Sequence, residues 1–538
     1  MITLHKQHRF LLSILSGILL VVSFPYTGSL TPLVFIAFVP LLLVDSYITV
    51  KRYKSRKVFT HAFITFLIYN VGTTWWVWNA DASGAVLAFV ANTLLMTVVF
   101  YMFHLTKKFV GSKEGYIALL IYWIGFEYLH YNWEASWTWL TLGNTFSIVP
   151  SWVQWYSYSG ALGGSFWILC INLLLFRVYH NLWIKGETWR IQTPLFILAG
   201  AAFVIPMTIS LITYATYEEE KNPYEVVAIQ PNIDPYNVKF STPPMEQLKE
   251  MGKLMLSKTS KTTDLILAPE TAIGGSFDEK NFKRLGYYPY LKSVQSESNN
   301  ASVCIGASTV RFFDKENSRS SRLFNGGPTY IEYYNTSIFL DENSETQFIH
   351  KSKLVPGVES IPFSDYFPFL EDLAIQNGGT SGTLGSEPHP KVFYDKDVRL
   401  APVVCYESIY GGWVAAQCRS GAQLICISTN DGWWGDTPGY KQHCSFASLR
   451  AIENRRSVAR SANTGTTCFV NQRGDIEQAT DWWKQTAIKG TLNLNSEQTF
   501  FTKYGNVMGR SFSFVAALLI LFTFVRRFKK YRSSSFFL

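Results

Sequence analysis

What this chain can fold into is constrained most by where its cations lie. Eight apolar runs, at residues 10–24, 32–50, 59–78, 85–105, 116–130, 163–176, 194–214 and 511–525, are separated by loops of two kinds. Lys51, Arg52, Lys54, Arg56 and Lys57 follow the second run, and Lys107, Lys108 and Lys113 the fourth. Arg177, Lys185 and Arg190 follow the sixth; Arg526, Arg527, Lys529, Lys530 and Arg532 follow the eighth. The alternate loops at 25–31, 79–84 and 131–159 carry no lysine or arginine. Cytoplasmic loops of multi-span membrane proteins hold the excess of cations, so the alternation predicts eight spans with both termini cytoplasmic. The block between the seventh and eighth runs then lies outside. Several runs are shorter than the roughly 20 residues a perpendicular span needs, which leaves their ends loosely defined. The first run follows Lys6 and Arg9, no small-x-small cleavage site succeeds it, and a second run begins at once. It reads as a retained span.

Composition agrees. Of 538 residues, 48% are hydrophobic and 16% aromatic, with only 16% charged, and the 17 Trp, 29 Tyr and 40 Phe suit membrane interfaces. The net charge of +9 sits in short clusters beside apolar runs rather than along a groove, which argues against nucleic acid. Asp45 and Glu127 fall inside runs and should face protein or water, not lipid. The Trp-rich loop 133–160 reads as a platform at the outer leaflet. The length exceeds one ordinary core. The composition shift divides the chain into a membrane domain at 1–221 with seven spans, an external domain at 222–497, and a last span with a basic tail at 498–538.

The external block is built of short strand-like runs at 224–230, 264–268, 302–306, 336–341, 400–405, 424–428 and 467–471. Helical patterns at 244–259 and 441–456 fall between some of them, which predicts a layered α/β domain. Three runs end in groups that carry chemistry. The run 265–268 stops at Pro269 and presents Glu270; His350-Lys351-Ser352-Lys353 presents cations before the Pro356-Gly357 turn. The run 400–404 ends in Cys405-Tyr406-Glu407. Any one of these is ordinary in a surface domain. Together they offer a base, a cation and a nucleophile at strand ends, the set that acyl transfer through a thioester requires.

At these residues the sequence resembles the nitrilase, or carbon-nitrogen hydrolase, superfamily, whose members set a Glu–Lys–Cys triad on an αββα sandwich. With the flanking spans it resembles the apolipoprotein N-acyltransferases of bacterial lipoprotein maturation. The resemblance is carried by Ala268-Pro269-Glu270, by 351–359, by Cys405-Tyr406-Glu407, and by Asn430-Asp431-Gly432-Trp433-Trp434-Gly435-Asp436 running into Gln442-His443. Arg460-Ser461-Ala462-Asn463-Thr464-Gly465 and Trp139-Leu140-Thr141-Leu142-Gly143-Asn144 belong to it too. It implies Glu270, Lys351 and Cys405 as the triad, the family spacing before Leu354-Val355-Pro356 selecting Lys351 over Lys353. It also implies Glu359 and Glu407 as further essential carboxylates, Tyr406 as the essential aromatic, and Phe240, Trp433 and Trp434 as substrate-loop candidates. Pro356-Gly357-Val358-Glu359 departs from the family's Pro-Phe-Gly-Glu, and Phe240 stands where a Trp is usual.

The implied reaction is ping-pong. A free thiol is only a few per cent thiolate at pH 7, so it needs activation. Glu270 takes its proton and Lys351 offsets the charge. Cys405 attacks a phospholipid ester, and the acyl thioester passes to the α-amine of an N-terminal diacylglyceryl-cysteine. The chemistry requires no metal and no cofactor; His443 and Cys444 read as a solvated or packing pair. Expected partners are the phospholipid donor, the diacylated apolipoprotein acceptor and the bilayer of a bacterial inner membrane, with the chain a monomer. Of the seven cysteines, Cys304, Cys426 and Cys468 fall in apolar strand runs and are expected as buried free thiols. A membrane-anchored amidase is the alternative, but eight spans exceed what an anchor needs. A silent lipid-binding scaffold conflicts with an intact triad, and a transporter with so few ionisable groups in its spans. For topology, a cysteine label within residues 51–57 is expected to resist an impermeant reagent in intact cells, and one within 342–345 to react. Labelling of the first loop would refute the eight-span arrangement.

Overall fold

The computed structural model describes residues 4–239, 241–343, 345–367, 369 and 383–535. Compactness divides the chain into two units: Met1–Trp75, Ala85–Ala215 and Asn506–Leu538 form one, and Trp76–Gly84 with Thr216–Gly505 form the other. The segment Trp76–Gly84, which includes the end of the third apolar run, belongs with the second unit.

In the first unit a helix overlaps each apolar run: Lys6–Ser23, Val39–Val50, Arg56–Thr74, Ala82–Phe109, Ser112–His130, Ala161–Tyr179, Trp189–Thr216 and Val507–Ser535. Among the described residues, five segments are long and apolar enough to cross a membrane: Thr31–Val50, Ala82–Phe109, Ala161–Ile184, Trp189–Thr216 and Val507–Lys530. The two acids within the runs do face protein. Asp45 is buried against His104, at 2.6 Å, and Lys107. Glu127 Oε1 accepts from Trp123 Nε1 at 3.0 Å and from the Leu142 amide at 2.8 Å. That second bond ties the Trp-rich loop to its helix bundle. Trp139, Leu142, Asn144 and Phe146 are buried there, so much of this loop is folded inward rather than spread as a surface platform.

The second unit is a four-layer sandwich, and strand periodicity explains it. One sheet runs Thr486–Asn493, Pro223–Gln230, Leu265–Leu267, Ser302–Phe313, Tyr330–Leu340 and Arg322–Leu323, with Ile273–Asp278 beside Ser302–Phe313 and Thr346–His350 beside Tyr330–Leu340. The other runs Ile476–Glu477, Cys468–Val470, Val458–Ala462, Leu424–Thr429, Val398–Val404 and Phe393–Asp395. Val226, Ala228, Leu265, Leu267 and Phe339 face Phe393, Leu400, Leu424, Cys426 and Phe469 between the sheets. Their neighbours one residue on, Val227, Ile229 and Ile266, pack outward on Leu248, Met251 and Met255 of the helix Pro244–Leu256. On the second sheet Ala401, Val403, Ile425 and Ile427 meet Val414 of Gly411–Arg419 and Ala447 and Ala451 of Pro438–Asn454. Both faces of each central strand are therefore apolar, which is why these strands read as continuous hydrophobic runs.

One glycine is demanded by close approach. A Cβ on Gly306 would lie 2.5 Å from the Thr271 amide, 2.6 Å from the Pro269 oxygen and 2.7 Å from the Glu270 Cα, so this strand lets the Glu270 turn lie flat on it. Gly306→Ala is expected to destabilise the protein by about 1–3 kcal/mol, the usual range for overpacking. It should also depress activity in membranes where the folded fraction is unchanged; an unchanged melting temperature would count against this packing.

Candidate active site

Strand ends from both sheets converge on one cluster. Leu265–Leu267 delivers Glu270, Thr346–His350 delivers Lys351, and Val398–Val404 delivers Cys405. Lys351 Nζ is buried and lies 3.2 Å from Glu270 Oε1 and 2.9 Å from the Glu359 carboxylate. Asn335 Nδ2 donates to the same two acids, at 2.8 Å to Glu270 Oε1 and 3.0 Å to Glu359 Oε1. Glu359 Oε2 accepts from the Val355 amide at 2.9 Å, which ties it to the Pro356-Gly357 turn. His350, just before the lysine, is clamped by Glu279 at 2.7 Å and stacks on Tyr334 at 4.0 Å.

Glu407 acts on backbone rather than on the lysine amine. Its Oε1 accepts from the amides of Ser352 at 2.7 Å and Lys353 at 3.2 Å, and its Oε2 from Val404 at 2.9 Å. It fastens the lysine strand to the cysteine strand. Burial pushes its carboxyl up, against those three amides. Lys353, the competing cation, points elsewhere: its Nζ lies 5.5 Å over the ring of Tyr410 and 5.1 Å over Trp413. Tyr406 is buried with its ring 5.4 Å from that of Tyr410.

The electrostatics follow from this packing. Burial pushes Glu270 up, but Lys351, Asn335 and Lys239 outweigh it and hold the carboxyl below its usual range. Burial pulls Lys351 down, and Glu270 and Glu359 reverse this, holding it well above the ordinary lysine value. The Cys405 thiol is raised, chiefly by burial and then by the Glu270 charge, with Lys351 opposing. The thiol therefore stays protonated until a base takes its proton.

Of the substrate-loop candidates, Phe240 lies outside the described residues. Trp433 packs on Tyr236 with ring centres 5.2 Å apart. Trp434 sits between Trp76, at 4.8 Å, and His443, at 5.6 Å, and its carbonyl accepts from Asn79 Nδ2 at 2.9 Å. His443, read from sequence as a solvated or packing side chain, is fully buried.

Three groups were given no part in the site by the sequence reading. Asn335 had a signal, since asparagine is depleted in strand interiors and this one sits inside Tyr330–Leu340. Lys239 is buried and donates to the Thr271 hydroxyl; burial brings its amine down to about 8 against Glu270 and Cys405. Asp431, His443 and Arg460 form a buried network behind the cysteine. Ligand-type atoms of Cys405, Asp431 and His443 lie within 4.8 Å of one another, but both Asp431 oxygens and both His443 nitrogens already hold protein partners.

A two-sheet sandwich of this topology with a glutamate, a lysine and a cysteine at its strand ends is a carbon-nitrogen hydrolase domain, and residues 226–500 match the carbon-nitrogen hydrolase family model. Residues 16–174 match the apolipoprotein N-acyltransferase N-terminal domain. Apolipoprotein N-acyltransferase from Chlorobaculum tepidum is 31% identical over 96% of this chain and 97% of its own length. The Geobacter metallireducens enzyme of that name is 27% identical over 97% and 96%. The chain belongs to the apolipoprotein N-acyltransferase family. Among solved structures, an amidase from Nesterenkonia sp. resembles 55% of this chain over 99% of its own, at 14% identity and a TM-score of 0.36.

Two outcomes follow from the geometry. Lys351→Met is expected to slow turnover on the order of 10²–10³-fold, the cost of losing one preorganised charge stabiliser, and Lys353→Met far less. Equal losses would contradict the arrangement. Thioester formation is expected to fall as pH rises through about 8, where Lys239 loses the charge it holds beside Glu270 and Cys405. Lys239→Arg keeps that charge and should move the limb upward; an unmoved limb would assign it to another group.

Proposed function

We propose that the protein transfers an acyl chain from a phospholipid, through a thioester on Cys405, to the α-amine of the N-terminal diacylglyceryl-cysteine of apolipoproteins. The observation that carries this is the buried Glu270–Lys351–Glu359 cluster beside a strand-end thiol in a chain whose other half is apolar helices. Glu270 is the base, Lys351 the oxyanion and charge stabiliser, and Cys405 the nucleophile. Glu359, Asn335 and Glu407 hold them. Residues 1–221 form the membrane domain, 222–497 the catalytic domain on the periplasmic side, and 498–538 a final span and cytoplasmic tail, giving eight spans in the inner membrane. The loop cation asymmetry supports this topology.

In the first half-reaction Glu270 accepts the thiol proton as sulfur attacks the ester carbonyl. The bond to the glycerol oxygen breaks, and that oxygen leaves with the proton as lysophospholipid. In the second, the neutral α-amine attacks the thioester, Glu270 takes the proton the nitrogen sheds, and the proton returns to the departing sulfur. An amine with a pKa near 8 is partly neutral at pH 7 and needs little help to attack.

Single-turnover assay in detergent with a labelled acyl chain tests the reading. Phospholipid alone should give a long-lived label on Cys405, absent in Cys405→Ala. A peptide bearing an N-terminal diacylglyceryl-cysteine should discharge it into an amide, and the same peptide with a blocked amine should not. Release of the label as free fatty acid at one rate with and without acceptor would make the protein a hydrolase.

A further inference from the structure

The nucleophile's backbone is strained, and what holds it is a network outside the triad. Cys405 has φ +50, in the left-handed region that a residue with a Cβ rarely adopts. Such a conformation costs on the order of 1–3 kcal/mol and persists only where surroundings impose it. The imposition is visible at its carbonyl. Cys405 O accepts from Ser408 Oγ at 2.8 Å and from His443 Nε2 at 3.1 Å, and His443 Nε2 also donates to Ser408 Oγ at 2.9 Å. Because the carbonyl can only accept, Nε2 carries a proton.

His443 is itself fixed from behind. Its Nδ1 lies 2.8 Å from Asp431 Oδ1, and Thr429 Oγ1 donates to the same oxygen at 2.8 Å. Arg460 pairs with Asp431 Oδ2 and lies 3.4 Å from Nδ1. Asp431, His443 and Arg460 are all fully buried. The fold explains how they meet. Val398–Val404, Leu424–Thr429 and Val458–Ala462 are adjacent parallel strands, with Val403, Ile427 and Arg460 in register. Val403 and Ile427 face the helix Pro438–Asn454, so Arg460 does too, and that helix carries His443. Asp431 opens the turn just beyond Leu424–Thr429.

We propose that His443, oriented by Asp431 and Arg460, is a positioning residue. By donating to the Cys405 carbonyl it holds the left-handed turn that aims the thiol at Glu270 and Lys351. A histidine between an acid and a cysteine also suits a general base, but here Nε2 is spent on the Cys405 carbonyl and the Ser408 hydroxyl. The inference rests on Cys405 as nucleophile. Wild-type enzyme with labelled phospholipid tests that reading by itself, since no label on Cys405 would remove it whatever His443 does.

The test of His443 compares full-length wild type, His443→Leu and His443→Gln in detergent. The readouts are the rate of acyl-Cys405 formation, its dependence on phospholipid concentration, and the pH profile of Cys405 alkylation by iodoacetamide. Glutamine retains an N–H donor at a reach close to that of Nε2. A misplaced reacting atom costs on the order of 10²-fold. His443→Leu should therefore lose about that much in the maximal acylation rate at similar half-saturation, and His443→Gln should recover most of it. The alkylation profile of both variants should keep its wild-type midpoint. Wild-type acylation in His443→Leu, failure of Gln to exceed Leu, or a displaced midpoint would each overturn the proposal. Should His443→Leu not fold, His443→Gln decides alone: a rate within about tenfold of wild type with the same midpoint supports it, and a larger loss or a displaced midpoint overturns it.

Discussion

Everything at this site depends on one buried ammonium. Lys351 sits between two carboxylates, Glu270 and Glu359, and each of the three would be intolerable where it is without the others. Removing one member of such a buried set leaves an uncompensated charge, typically at a cost of about 3–5 kcal/mol. Asn335 contributes by bonding both acids, so the two like charges are separated by donors and not only by distance. Lys239 adds a second buried amine whose charge acts on Glu270. Two acids and two bases then leave the cluster near neutrality with the thiol protonated. A thiolate formed in advance would add an unmatched negative charge to a desolvated pocket, which is why burial and Glu270 raise the thiol instead.

Much of this was legible in the sequence because strands announce both their faces and their ends. Seven of the apolar runs read from sequence coincide with strands; Glu270 and Cys405 stand at the ends of two of them, and Lys351 follows Thr346–His350, a strand those runs did not include. What stayed hidden has a common physical form. Lys239, Asn335, Asp431, His443 and Arg460 are polar groups buried by partners far away in the chain. Charged residues are seldom fully buried unless paired, and nothing local in the sequence reports the pairing. Thr486–Asn493 escaped for a related reason: its alternation carries lysine and threonine, and its place as the antiparallel neighbour of Pro223–Gln230 is set across more than 250 residues. The helix Gly411–Arg419 begins with two glycines, which read locally as a terminator.

The two sheets divide the labour. The first sheet supplies Glu270, Asn335 and Lys351, the groups whose charges must balance. The second supplies the cysteine and the Asp431–His443–Arg460 network that bears on its backbone. Glu407 is the joint between them, since its side chain grips amides from the end of each sheet's strand. The spacing of the Lys351 and Cys405 strand ends is therefore fixed by a carboxylate that bonds to backbone amides of both. A change at Glu407 would alter geometry without altering the charges of the triad, whereas a change at Glu359 would alter the charge balance first.

Proton economy explains why Glu270 is held below the usual carboxylate range rather than raised as many catalytic acids are. In the proposed cycle each half-reaction hands Glu270 one proton and takes it back, first from sulfur to the glycerol oxygen, then from nitrogen to sulfur. A carboxyl with a raised pKa would accept readily and return the proton slowly to the leaving group. One kept acidic by Lys351, Asn335 and Lys239 accepts only as the attack develops, and its proton is then pulled off by a far more basic alkoxide or thiolate. The site gives up ease in the first transfer to make the second one fast. That choice suits an acyl transfer whose leaving groups, an alcohol and then a thiol, are poorer acids than the carboxyl that must protonate them.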